Sequence, residues 1–175
     1  VWQDLLVAGA DPLVYEKKRI GSNTHDGTTS RFLVVMNRHN GRVLWSREAR
    51  YAFRHNAIVL GNGKLYTIDR LPETIVALMA RRGRKPTGKP QLLALDARSG
   101  KEAWSTTKDV FGTWLGFSGE FDLLLHCGRA AGDMLTDEPS ERMVVYRGRD
   151  GSVQWDKPQS HGGPCLINGR MIFTQ

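Results

Sequence analysis

The residues of this chain that could do chemistry are five histidines, two cysteines and a scatter of loop acids, so their spacing decides which reactions are open. His55 and His161 each stand just before a short apolar run, in His55-Asn56-Ala57 and His161-Gly162-Gly163-Pro164. Imidazole titrates near neutral pH, so such a matched pair could contact a ligand or bind a metal. Two histidines on separate units do not make a metal site, and their ordinary role is hydrogen bonding between units. His25, His39 and His126 are scattered. Cys127 and Cys165 form neither C-x-x-C nor C-x-x-C-H and read as separate buried thiols. Asp26, Asp133, Asp137, Glu138 and Glu141 show no spacing for paired acid/base work. No G-x-S-x-G, P-loop or H-E-x-x-H sequence is present. Catalytic and metal residues are therefore expected to be none.

Charge is the other chemical signal. The formal net charge is +7, and much of it lies in Arg81, Arg82, Arg84, Lys85 and Lys89, together with Arg47, Arg50 and Arg54 of the first inter-blade connection, expected on the same rim. Such a cluster attracts an anionic polymer, a lipid surface or an acidic protein over about 10 Å. Nucleic acid is not expected, because no reading motif accompanies the charge. Residues 73–85 read as a short helix, with Glu73 near its start, arginines near its end and Gly83 as a stop. Val76, Met79 and Ala80 would form its docking stripe. No apolar stretch approaches the ~20 residues of a membrane span.

What positions these groups is a phrase that occurs three times: FLVVMNRHNGRVLW at 32–45, LLALDARSGKEAW at 92–104 and MVVYRGRDGSVQW at 143–155. Each is an apolar run, a polar turn closing on Gly41, Gly100 or Gly151, then Trp45, Trp104 or Trp155. Recurrence at a fixed offset marks a repeat array. Each copy predicts a strand, a tight turn and a second strand, with Gly supplying positive φ. The alternation around Leu93 and Leu95 fits a half-buried strand. The Trp offers a flat face for packing on a neighbouring unit.

Further strands are predicted at 4–8, 64–68, 122–126 and 170–174, and shorter inner ones at 57–60, 114–117 and 164–167. The unit is thus four antiparallel strands, the composition of a propeller blade. The expected fold is an all-β propeller of four-stranded antiparallel blades, about three of them in a partial ring, with a short helix in one insertion. Blade units fall at approximately 1–46, 47–105, 106–156 and 157–175, the last incomplete. Insertions at 9–31, 70–90 and 127–141 all emerge on one rim, opposite the Gly turns, and variable loops on a rigid frame carry function. That rim is the expected binding surface, with Arg50, Arg54, His55, Arg81, Arg82, Arg84, Trp114 and His161 as its candidate residues. The chain enters and leaves in mid-blade, so other blades or domains of a longer protein are expected.

The pattern apolar-apolar-Ala-Leu-Asp-x-x-x-Gly-x-x-x-Trp resembles the tryptophan-docking repeat of PQQ-like β-propellers, a group that includes quinoprotein alcohol dehydrogenases and BamB-type lipoproteins. Leu93-Ala94-Leu95-Asp96 with Gly100 and Trp104 matches best, while the Asp position is Asn37 in the first copy and Arg147 in the third. The resemblance implies an extracytoplasmic location, in the periplasm or cell envelope. It implies a noncatalytic scaffold or binding module for a protein or anionic polymer on the loop-rich rim. Its alternatives are part of a PQQ-dependent alcohol or sugar dehydrogenase, and a polysaccharide-binding or polysaccharide-processing propeller. A dehydrogenase would need PQQ in the central funnel with Ca²⁺ on six to eight oxygens. The funnel strands 57–60, 114–117 and 164–167 contain no acidic residue, and the adjacent-cysteine pair of many such enzymes is absent. No resident cofactor is expected.

Overall fold

Turn chemistry cuts the chain into antiparallel hairpins. The computed structural model describes residues 1–12, 29–83, 86–128, 141–158, 165–168 and 171–174. In chain order the elements are β1 (Leu5–Pro12), β2 (Thr29–Asn37), β3 (Val43–Gly61), β4 (Lys64–Asp69) and α1 (Glu73–Arg81). Then come β5 (Gln91–Asp96), β6 (Glu102–Thr106), β7 (Trp114–Ser118), β8 (Leu123–Cys127), β9 (Arg142–Arg147), β10 (Val153–Pro158), β11 (Cys165–Asn168) and β12 (Met171–Thr174). Strands β1 to β6 hydrogen-bond in sequence order as one six-stranded sheet. Strands β7 to β10 form a four-stranded sheet, and β11 pairs with β12. Together they make an open, partial β-propeller with one helix.

Two blades share the first sheet because β3 belongs to both. Its first half pairs with β2 as an outermost strand, and its second half pairs with β4 as an innermost one. The expected boundary between residues 46 and 47 falls inside this strand. Its ladder to β4 breaks between Phe53 and Ile58, where the chain turns from one blade into the next.

The three outer hairpins are built alike, down to single hydrogen bonds. The amides of Gly41, Gly100 and Gly151 donate to the carbonyls of Asn37, Asp96 and Arg147, and the amides of those three donate back across the turn to Arg42, Lys101 and Ser152. Each glycine has φ near +70°. Directly after each turn the ladder slips by one residue, leaving Leu44, Ala103 and Gln154 unpaired before the Trp that pairs with Val35, Ala94 or Val145. Such a bulge re-aims the side chain that follows it. Trp45 then lies on Gly100 with its Nε1–H donating to Ala97 O at 3.1 Å, and Trp104 lies on Gly151 with its Nε1–H donating to Gly148 O at 2.8 Å. Ala97 and Gly148 hold the same place in their turns. Trp155 packs on its own blade beside Leu125, Met143 and Val145.

The variable Asp position is explained by these turns. Asp96 Oδ1 accepts from the amides of Arg98 and Ser99, and Asn37 Oδ1 accepts from His39 and Asn40, so an amide oxygen serves as well as a carboxylate. In the third turn Arg147 cannot do this. Asp122, before β8, supplies its Oδ2 to the Arg149 amide at 3.0 Å instead.

Two clusters fill the gaps between blades. Leu5, Leu33, Val35, Phe53, Leu65, Leu93 and Leu95 pack between the first and second. Tyr66, Ile68, Leu92, Ala94, Phe111, Leu115, Leu124, Val144 and Tyr146 pack between the second and third. Strand β5 is therefore buried on both faces from Gln91 to Leu95, not half-buried as its alternation suggests. Odd positions face one neighbour and even positions the other, which is why the sequence there is an unbroken apolar run. Cys127 is buried in β8 and is not disulfide-bonded.

Candidate functional site

The insertion-bearing rim is organised by a buried carboxylate at the corner of β3. Asp69 ends β4 with no exposed surface, and its two oxygens accept the backbone amides of Arg50 at 2.7 Å and Tyr51 at 2.8 Å. The Arg70 amide donates to Ala52 O alongside. Burial pushes the Asp69 carboxyl above its usual range, against the opposing pull of the amides of Arg50 and Tyr51 and the Gln91 side chain. These bonds take up the Arg50 and Tyr51 amides where β3 leaves its ladder to change blade. Asp69 was not singled out in the sequence, where only its place directly after Ile68 at the end of the β4 run distinguishes it.

The predicted rim residues separate into several groups. Arg50 is exposed, and Gly88 lies close to its guanidinium, in a loop tied back by Tyr51 Oη donating to Gly88 O at 2.9 Å. Arg81, Arg82 and Lys89 are also exposed. Arg54, by contrast, is 2 % exposed, so it is a buried side chain and not part of a binding surface. It falls in the corner of β3, where the strand is enclosed on both sides. Trp114 is half-buried with Leu125 and Met143, and its Nε1 has no hydrogen-bond partner among the described residues. Arg84 and His161 lie outside the described residues, as do Lys85, His25, Asp26, Asp133, Asp137 and Glu138.

The helix is shorter than 73–85. It ends at Arg81, and Gly83 at φ +74° turns the chain away. None of its residues is fully buried, but Val76, Met79 and Ala80 are each partly buried while Thr74, Ala77 and Arg81 on the other side are exposed.

His55 borders a concavity of about 280 Å³ lined by Val1, Val7, Gly9, Ile58 and Leu60. Its Nε2 is hydrogen-bonded to Ser30 Oγ, and Gly9 leaves room for that contact, since a Cβ there would overlap Ser30. Ser30 is only 2 % exposed, which makes it a structural partner and not a reachable nucleophile.

His126, which looked incidental in the sequence, is fully buried. Its Nε2–H donates to Phe111 O, which fixes the tautomer and leaves Nδ1 to accept from Tyr146 Oη–H at 3.4 Å. Its ring stacks on Phe111 at 4.1 Å, and the Arg142 guanidinium lies over that phenyl, 4.7 Å from the centroid. Arg142 in turn bonds Asp156 through two nitrogens and Asp109 at 2.6 Å. Loss of water around the imidazole lowers its pKa to about 4, and nearby Arg142 and Arg70 push the same way. The node pins residues 107–113, which connect the second and third blades, to the rim end of the third. No local motif signals it, because its members come from four separate segments.

Among the described residues no group of three His, Cys, Asp or Glu side chains is placed to hold a metal. No described helix is long and apolar enough to cross a membrane.

Comparison with known proteins agrees with this architecture. The family model described as outer membrane protein assembly factor BamB matches residues 2–164. BamB from Moraxella catarrhalis superposes with a TM-score of 0.55 at 12 % identity, covering 83 % of this chain and 41 % of that one. Quinohemoprotein alcohol dehydrogenase ADHIIG from Pseudomonas putida HK5 gives 0.48 at 17 % identity, covering 77 % and 24 %. The chain thus spans less than half the length of either structure. No curated protein sequence matches it. With three copies of one hairpin and bulge, two of them making the same indole contact, and a family match over nearly its whole length, the chain belongs to the PQQ-like β-propeller family of the outer membrane assembly factor BamB.

Proposed function

We propose that this segment is a noncatalytic scaffold whose insertion-bearing rim holds a protein partner in an extracytoplasmic compartment. One observation carries the reading: the buried titratable groups are spent on the frame. Asp69 holds the corner of β3, His126 holds the connection to the third blade, and Tyr66 donates to Gly148 O at 3.1 Å across a blade seam. Groups so engaged hold geometry and leave little to react. The family's description as an assembly factor supports a protein partner. The indole contacts of Trp45 and Trp104 support a docking role for these residues, and Trp155 would do the same for a further blade.

A PQQ–calcium centre fits the described inner strands poorly. Residues 57–60 and 114–117 offer Ala, Ile, Val, Leu, Trp, Leu, Gly and Phe, none with the oxygen side chains that Ca²⁺ takes. The scaffold reading therefore takes no resident cofactor in this segment.

Photo-crosslinking side chains placed in the full-length protein at Lys89, and at Lys101 on the opposite rim, test the scaffold reading. Protein adducts confined to Lys89 support it, and adducts from neither site, or from Lys101 alone, contradict it. PQQ-dependent, dye-linked alcohol oxidation after addition of PQQ and Ca²⁺ would establish the dehydrogenase reading instead. Retention on an acidic polysaccharide, lost on Arg81→Ala and Arg82→Ala, would establish the polymer reading.

A further inference from the structure

A row of rings in contact runs through the seam between the second and third blades. Phe117 stacks on Tyr66 at 4.9 Å, Tyr66 meets Trp104 at 6.0 Å, and Trp104 meets Tyr146 at 6.4 Å. Tyr146 stacks on His126 at 5.9 Å, and His126 stacks on Phe111 at 4.1 Å. Tyr66, Tyr146, His126 and Phe111 are buried, whereas Trp104 and Phe117 are only partly so. Of those two, only the indole gives up an electron readily, so Trp104 is where an oxidant at the surface meets the row.

The oxidisable members, Trp104, Tyr66 and Tyr146, differ in where a proton can go. Trp104 Nε1–H and Tyr66 Oη–H both donate to Gly148 O. A carbonyl oxygen accepts a hydrogen bond but is too weak a base to take the proton. Tyr146 Oη–H instead faces His126 Nδ1 at 3.4 Å. The Nε2–H of that ring is spent on Phe111 O, which leaves Nδ1 as the basic nitrogen. Burial lowers the His126 pKa to about 4, so Nδ1 carries no proton near neutral pH. A phenol that has lost an electron is a strong acid and passes its proton to a base it touches. Tyr146 has such a base.

We propose that Tyr146 and His126 form a redox-active pair that takes up an oxidising equivalent delivered through Trp104. A one-electron oxidant, such as an organic peroxyl radical, removes one electron from the Trp104 indole and leaves as the hydroperoxide anion. Tyr146 then gives one electron to Trp104 while its Oη–H bond breaks and the proton passes to His126 Nδ1. The indole is restored, and the products are a neutral phenoxyl radical and an imidazolium. Both imidazolium N–H groups have acceptors in place, the phenoxyl oxygen for Nδ1–H and Phe111 O for Nε2–H. The transfer spares the indole that seats the second blade on Gly151. This activity lies inside the seam, uses no residue of the insertion-bearing rim, and is independent of the scaffold reading.

Flash photolysis tests it, with a photogenerated ruthenium(III) tris-bipyridine complex as the one-electron oxidant and electron paramagnetic resonance and transient absorption as readouts. Tyr15→Phe and Tyr51→Phe together leave Tyr66 and Tyr146 as the only phenols of the chain. In that background an indole radical should form first and give way to a neutral tyrosyl radical. Tyr146→Phe should abolish the tyrosyl signal and leave the indole radical, while Tyr66→Phe should retain the tyrosyl. His126→Gln keeps a hydrogen-bonding side chain but removes the base, and should slow tyrosyl formation about a hundredfold. Thermal unfolding checks that these variants keep their blades. Deuterium oxide needs no further variant and should slow the same step, because a proton moves in it. A tyrosyl signal that survives Tyr146→Phe, a rate indifferent to His126→Gln or to deuterium, or an indole radical that never gives way to tyrosyl would overturn the proposal.

Discussion

The ring of Trp104 and the backbone of Gly151 approach so closely that a Cβ on the glycine would stand 2.8 Å from the indole. Trp45 and Gly100 repeat the contact, with a Cβ at 2.7 Å. Gly41 has the same positive φ in the first turn, but nothing lies within 4 Å of its added Cβ. The three glycines thus separate backbone strain from blade contact. Gly41→Ala should cost about 1–2 kcal/mol for the left-handed conformation alone. Gly100→Ala and Gly151→Ala should cost about 1–3 kcal/mol more, because the indole must move. Urea unfolding of the three variants measures the difference, and equal costs would remove the indole from the seam.

Tyr66 and Trp104 share one acceptor. Both donate to Gly148 O, at 3.1 and 2.8 Å. Replacing either with Phe leaves the carbonyl one donor, so each single change should cost about 1 kcal/mol in hydrogen bonding. The double variant strands a buried carbonyl. It should lose more than the sum of the two, with a coupling of about 0.5–3 kcal/mol in a double-mutant cycle.

His126 should make stability depend on pH in a defined window. Its folded pKa of about 4 lies below its ordinary value of 6.5, so the unfolded chain binds the proton more readily. Its contribution is fully present above pH 6.5 and is lost as pH falls toward 4, by about 3 kcal/mol in all. The unfolding free energy should therefore rise between pH 4 and 6.5. His126→Gln should flatten that rise, and an unchanged slope would show that another group controls it.

Asp69 should matter locally before it matters globally. In Asp69→Asn one oxygen remains to serve the two amides that the carboxylate now accepts. The loss is about 1–3 kcal/mol for a buried unsatisfied donor. Hydrogen exchange should quicken first at the Arg50 and Tyr51 amides, with the seam residues Leu93 and Leu95 little changed.

Features carried by local repetition were readable in the sequence. The offset of Gly41, Gly100 and Gly151 from their tryptophans fixes strand order and turn position, because a tight turn and the side chain it aims are set by neighbouring residues. The bulges at Leu44, Ala103 and Gln154 were not readable, since one unpaired residue leaves no mark in composition. The two-sided burial of β5 was missed because alternation cannot distinguish a strand with one covered face from a strand with two when every residue is apolar. Arg54 looked like surface charge for the same reason that Asp69 went unnoticed: both sit at a corner defined by strands distant in sequence. The replacement of the turn carboxylate by Asp122 is likewise visible only in three dimensions. At the rim, the run of basic residues identified Arg81 and Arg82 at the end of α1, both exposed.

The passage of β3 through two blades sets how the array yields under load. Separating the first blade from the second means breaking backbone pairs at the corner of β3, where Phe53 is paired with both Ser30 of β2 and Asp69 of β4. Between the second and third, only the loop from Thr106 to Trp114 crosses, and the seam rests on side chains such as Tyr66, Trp104 and Phe117. Pulled apart or nicked by a protease, the array should articulate at that loop, with the first two blades travelling as one rigid plate.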